Sequence, residues 1–256
     1  MDIIKEKTVS FTGNRTLTTS DNQPDANLEN VIRTELSLCL EDCYREGKTN
    51  FISGMAIGWD MLCAEEVLKL REQHSDIRLI IAIPFQGQEL LYNEKDKHRY
   101  KAIFEAADHK EFITDGDYDK DAYHKRNDWM IAGSSEIIAY DSGRPRSGTA
   151  STVRKARLSG VEVLNIYDEL KNYFTISHFA KRYLQRFPFV TSFRYGREGL
   201  LFCGNQQFIP VPFTNIKGIE ISGEYLVFTL ANDITYRASI YSDECFVDFN
   251  KTTAQA

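Results

Sequence analysis

Cysteine is sparse: Cys39, Cys43, Cys63, Cys203 and Cys245 are the five in 256 residues. They are scattered, odd in number and without a CxxC spacing, which excludes a disulfide framework or a zinc cluster. They read as reduced, partly buried thiols of a cytoplasmic protein. Metal-ligand spacing is also missing from His74, His98, His109, His124 and His178. No apolar run reaches the length of a membrane span, and the opening MDIIKEKTVSFTG shows no signal-peptide pattern, so no membrane partner is expected. An excess of positive charge is lacking too. The net charge of −6 means that nucleic acid would have to use a local patch. The acidic run Asp115 to Asp121 is no calcium loop, because Lys120 stands where an EF-hand needs glycine and Arg126 where it needs a bidentate Glu.

What is present is an ordinary globular composition, 42% hydrophobic and 27% charged, in a chain long enough for two domains. From Thr8 to Ile166, short β-branched or apolar runs alternate with helical spacing. Strands are expected at Thr8–Phe11, Asn50–Ser53, Ile77–Ile83, Glu111–Thr114, Glu136–Tyr140 and Val161–Ile166. Leu28, Val31, Ile32, Leu36, Cys39, Leu40 and Cys43 mark the first helix. Such alternation specifies an α/β fold, a Rossmann-like open and mostly parallel sheet with helices on both faces. Ligands of these folds bind outside the carboxyl ends of the strands. Four turns follow strands and should converge there: Gly13-Asn14-Arg15, Ser53-Gly54 running on to Gly58 and Asp60, Pro84-Phe85, and Asp141 to Gly148.

The last of these turns carries the strongest chemistry. Ser147-Gly148-Thr149 enters a helix, leaving free N–H groups at the positive end of its dipole. Thr152 can add a hydroxyl. Arg144, Arg146, Arg154, Lys155 and Arg157 gather nearby with no acidic residue between Arg144 and Gly160. Phosphate suits such a site. Asp60 is placed as a helix N-cap, and Phe85 is placed to stack on a ring or to cap the core.

After about Leu170 the composition changes. Ile176, Phe179, Ala180, Tyr183 and Leu184 make an amphipathic helix, and six short strands follow between Gly199 and Phe249. Residues 1–170 are therefore expected to form the Rossmann-like, phosphate-binding domain, and 171–256 a helix plus a small antiparallel β domain. A homodimer or a protein partner is expected to use that second domain.

The assembled motifs resemble the SMF/DprA–LOG (SLOG) superfamily. Ser53-Gly54, Ala56, Gly58, Asp60 and Ala64 look like the SG-x-A-x-G-x-D-x3-A block of its DprA proteins. Arg126-Asn127, Ile131-Ala132-Gly133, Ser135, Ser147-Gly148, Thr152, Ala156 and Gly160-Val161-Glu162-Val163 look like its second block. Phe11-Thr12-Gly13-Asn14-Arg15 looks more like the YpsA-type branch. The resemblance implies a nucleotide or ADP-ribose-like ligand with no required cofactor. Arg126, Ser147, Gly148 and Thr149 would hold phosphate, and Gly13, Asn14, Arg15, Gly54 and Gly58 would line the sugar and base side. LOG-type enzymes cleave a nucleotide N-glycosidic bond and carry GG-x-GT-x-x-E; Thr152 stands here in place of that glutamate. Asp60 or Asp128 would then have to supply the catalytic carboxylate. A third reading is DprA-like binding of single-stranded DNA through the arginines of Arg144 to Arg157.

Overall fold

The computed structural model describes residues 3–18, 28–116, 118, 121–170 and 174, and the strands named below between 193 and 248. By packing, the chain divides into two units, Met1–Glu169 and Leu170–Ala256.

In the first unit, β1 (Thr8–Gly13), α1 (Leu28–Arg45), β2 (Asn50–Ser53), α2 (Trp59–Gln73), β3 (Arg78–Ile83) and α3 (Glu94–Ala106) follow one another. Then come β4 (His109–Phe112), α4 (Ala122–Gly133), β5 (Glu136–Tyr140), α5 (Gly148–Leu158) and β6 (Glu162–Asn165). The six strands form one parallel sheet in the order β4-β3-β2-β1-β5-β6. This is the Rossmann-like α/β architecture that the alternation predicts. β3 is buried from Leu79 to Ile83 because a central parallel strand is covered on both faces.

Side-chain alternation along the strands sorts the helices into two layers. Ile137 and Ala139 of β5 pack with Ile131 of α4 and with Val153 and Ala156 of α5. Ile52, Ile80 and Ala82 meet Met130 of α4. Tyr140, offset by one residue from Ala139, instead meets Trp59 of α2, with ring centroids 5.3 Å apart. α2 contacts both α1 and α3, so nearly all its faces are covered and Trp59, Met61, Leu62, Cys63, Ala64, Val67 and Leu70 are buried. Charges tie these three helices together: Arg33 of α1 pairs with Glu65 and Glu66 at 2.7 and 2.6 Å, and Arg99 of α3 pairs with Glu65 at 2.7 Å.

The chain runs outward from β1 to β4, then returns through α4 to β5 on the other side of β1. The loops after β1 and β5 therefore leave neighbouring strands in opposite directions. Such a switch point opens a crevice at the carboxyl end of the sheet.

In the second unit, β7 (Phe193–Tyr195), β8 (Gly199–Gly204) and β9 (Gln207–Pro212) pair antiparallel. So do β10 (Ile216–Ser222), β11 (Tyr225–Leu230), β12 (Thr235–Ser239) and β13 (Cys245–Asp248). The helix expected at Ile176–Leu184 lies outside the described residues. Among the described residues, no helix is long and apolar enough to cross a membrane.

Candidate functional site

Gly13 ends β1 in register with Tyr140, which ends β5. The loops that follow are stitched together by Asn14. Its N–H donates to Tyr140 O at 3.2 Å, and its Nδ2 donates to Ser142 Oγ at 3.0 Å. Trp59 N–H donates to Asn14 O at 3.3 Å, which fixes the start of α2 against the same corner. A Cβ on Gly13 would overlap the Trp59 indole, so glycine lets β1 end directly upon that ring.

The loop after β2 is built around an ion pair. Arg126 of α4 is 6% exposed and Asp60 of α2 is 5% exposed. Arg126 Nη1 donates to Asp60 Oδ2 at 3.2 Å, and Ala56 N–H donates to the same oxygen at 3.3 Å. Ser53 Oγ donates to Asp60 O at 2.8 Å and accepts from Met55 N–H at 3.2 Å. Asp60 is thus not the N-cap expected from sequence. Gly58, at φ 81°, takes that position and α2 begins at Trp59, so Asp60 sits in the first turn and reaches back to Ala56. Burial pushes the Asp60 carboxyl above its ordinary pKa, opposed by Arg126, the Ala56 amide and Arg15. Arg126 Nε is buried and has no hydrogen-bond partner among the described residues. An unpaired buried donor is destabilising by about 1–3 kcal/mol, more when charged, which marks a place for an acceptor.

Ser147 is the N-cap of α5, its Oγ accepting from Ala150 N–H at 3.0 Å. The N–H groups of Gly148 and Thr149 stand in the first turn, where no intrahelical acceptor exists. The helix stops at Gly160, whose φ of 72° places it as the left-handed residue past the end. Thr152 is occupied otherwise: its Oγ1 donates to Gly148 O and accepts from Asn127 Nδ2, both at 2.9 Å. It therefore ties α5 to α4.

These parts enclose a cavity of about 360 Å³, at the small end of the roughly 300–1,000 Å³ usual for ligand sites. Gly13, Asn14 and Arg15 line it from the loop after β1, Asp60 from α2, Arg126 and Asn127 from α4, and Ser147, Gly148 and Thr149 from α5. Three of the four expected turns thus contribute to one wall or its support. Ser53 and Gly54 lie behind it, under Asp60 and Arg126. Gly58, Pro84, Phe85 and Thr152 are not in the lining. Pro84 O accepts from Thr114 Oγ1 at 2.7 Å. Asp128 is exposed, pairs with Lys155 and is also outside the lining, so of the two candidate carboxylates Asp60 alone reaches the cavity.

Tyr123 lines the cavity and was missed from sequence. Its ring centroid lies 5.5 Å from Arg15 Cζ, 6.0 Å from Arg126 Cζ and 5.6 Å from the centroid of the Phe85 ring, which stands nearly perpendicular to it. The signal was available: Tyr123 precedes Arg126 by three residues, which places both on one helix face. Its neighbour His124 is exposed. Phe11, Thr12 and Ala56 complete the lining.

A parallel sheet with helices and a cavity at its switch point defines a Rossmann-like α/β protein. The chain belongs to the YspA SLOG family, whose model matches residues 9–166. A UPF0398 protein of Halalkalibacterium halodurans is 32% identical over 104 residues, which is 40% of this chain and 55% of that one. The match thus spans about half the length of that curated relative. The uncharacterised SPbeta prophage-derived protein YoqJ of Bacillus subtilis is 30% identical over 124 residues, 44% of this chain and 72% of that one. Among solved structures, DNA processing protein A of Streptococcus pneumoniae is 20% identical with a TM-score of 0.41, covering 62% of this chain and 49% of its own. DNA processing protein A of Helicobacter pylori, solved for its single-stranded DNA binding mode, is 18% identical with a TM-score of 0.43, covering 71% and 82%.

Proposed function

We propose that the cavity binds the phosphoryl group of a nucleotide or ADP-ribose-like ligand, and that the chain acts as a cytoplasmic binder or sensor of it. The observation that carries this reading is Arg126, more than nine-tenths buried, lining the cavity with an unpartnered Nε in the same wall as the first turn of α5. Guanidinium and helix N-terminus are complementary to phosphate for independent reasons, one by charge and fork geometry, the other by free amides. Gly13, Asn14, Arg15 and the Tyr123 ring offer contacts for the sugar and base. In the same reading, the antiparallel ladders of residues 171–256 form a small β domain that serves a second copy or a protein partner. Calorimetric titration of the full chain with a panel of nucleoside mono- and diphosphates and ADP-ribose tests the ligand. Saturable heat with at least one member is expected, and none from folded protein removes the reading.

Asp60, a buried carboxyl in the cavity wall with its pKa raised, favours N-glycosidic cleavage as a second reading. It predicts release of free base from a panel nucleotide, abolished in Asp60→Asn; no turnover by the wild type removes it. Exposed Arg146, Arg154 and Arg157 favour single-stranded DNA as a third. Its mark is an affinity falling steeply with salt.

A further inference from the structure

We propose that Asp60 takes up one proton when an anion occupies the cavity, so that the site takes a phosphate moiety with two negative charges, as in a bridging diphosphate. This rests on the anion-binding reading above and adds its charge state and its coupling to pH.

The charged side chains of the cavity wall are two guanidiniums, Arg15 and Arg126, and one carboxylate, Asp60. With Asp60 ionised, the charge of Arg126 is already compensated, because Nη1 donates to Asp60 Oδ2 at 3.2 Å. An anion that reaches Arg126 therefore also meets Asp60. Both side chains are more than nine-tenths buried, so repulsion between carboxylate and anion is poorly screened. Asp60 could escape by swinging away or by losing its charge. Its surroundings oppose the first: Ala56 N–H holds Oδ2 at 3.3 Å, and Ser53 Oγ holds its backbone carbonyl at 2.8 Å. Neutralisation needs only one proton from solvent.

The surroundings of the carboxyl leave it as the group to titrate. From the loop after β1 it feels Arg15, from α4 Arg126, and from the loop after β2 the Ala56 amide. On its own helix Cys63 is buried, its thiol pushed up by burial and by Asp60. Tyr92, before α3, is likewise pushed up, chiefly by burial. Thiol and phenol are thus neutral at physiological pH. Burial already raises the Asp60 carboxyl, which shortens the step to protonation. Once protonated, Asp60 can donate its O–H to the ligand, and the two guanidiniums match a double negative charge. No bond of the ligand is made or broken.

The test is calorimetric titration of the full chain with ADP-ribose at pH 7, in two buffers of different protonation enthalpy, Tris and PIPES. The diphosphate of ADP-ribose does not titrate near neutral pH, so proton uptake belongs to the protein. Uptake approaching one proton per ligand is expected, with affinity falling about tenfold per pH unit from pH 6 to 8 when uptake is complete. In Asp60→Asn, which keeps an acceptor for Ala56 N–H, uptake should vanish and the pH slope flatten. Singly charged 3′,5′-cyclic AMP should bind at least about tenfold more weakly than ADP-ribose, the step of about 1.4 kcal/mol that one lost pairing supplies. Identical heats for ADP-ribose in both buffers overturn the proposal and leave the anion-binding reading standing. Binding of nucleoside monophosphates without ADP-ribose overturns the diphosphate assignment, and no heat with any nucleotide removes both readings. The wild-type comparison needs no variant, so a misfolded Asp60→Asn does not spoil the test.

Discussion

Gly54 lies directly beneath the guanidinium of Arg126: a Cβ on Gly54 would overlap Nη1 and come within 2.8 Å of Asp60 Oδ2. The glycine after β2 thus makes room for the arginine that lines the cavity, where the sequence pattern suggested that it meets the ligand itself. Gly54→Ala should displace Arg126, weaken nucleotide binding by at least about tenfold and destabilise the fold by about 1–3 kcal/mol. Urea denaturation and calorimetry on the same sample measure both. Unchanged binding would show that the guanidinium need not sit where it does.

Gly148→Ala is the counterpart. Nothing lies within 4 Å of a Cβ built at Gly148, and the position is the first of α5. Stability should hold or rise by up to about 1 kcal/mol, since alanine favours the helix. Binding should fall, because the new methyl group stands beside the amides assigned to phosphate. Thermal melting and titration separate the two effects.

Arg126→Ala should be far more damaging than any surface charge deletion. It leaves Asp60 buried without its cation, and breaking a buried pair in this way typically costs about 3–5 kcal/mol. The loss should shrink on acidification, because protonated Asp60 needs no partner. Urea midpoints at pH 7 and near pH 4 would show it.

Asp60 itself sets the sign of a stability–pH slope. Its folded pKa lies above the ordinary 3.8, so between the two values the native state holds more protons than the unfolded chain. This group's contribution to stability therefore falls as pH rises from 3.8 through the folded value, and is constant above it. Asp60→Asn should remove that part of the slope. Denaturation curves of both proteins from pH 4 to pH 8 are the check, and parallel slopes would contradict it.

The thiols of the first unit should be inert in the native protein. Burial pushes Cys39 up to about 12, and Cys43 and Cys63 are also raised, so little thiolate exists at neutral pH. In a Cys203→Ser/Cys245→Ser variant, a thiol reagent at pH 7.5 should label none of the three within minutes and all three in denaturant. Fast native labelling of Cys43 or Cys63 would contradict their burial.

Much of this was legible in the chain itself. Period-two and period-3.6 patterning dictated six strands and their helices, and the punctuation by Gly13 and Ser147 marked where β1 ends and α5 begins, because backbone preferences act within a few residues. The rule that turns follow the carboxyl ends of parallel strands brought Gly13 and Gly148 to one cavity before any coordinates. The partners were beyond local reasoning. That Arg126 lies over Gly54, that Asp60 abandons the N-cap position for Ala56 and Arg126, that Asp128 faces Lys155 instead of the cavity, and that Tyr123 lies near two guanidiniums all follow from how α4 docks on the sheet. Those pairings join residues up to 108 positions apart, counting from Arg15 to Tyr123. Strand order and helix packing choose them, and a buried charge takes whatever partner that packing supplies.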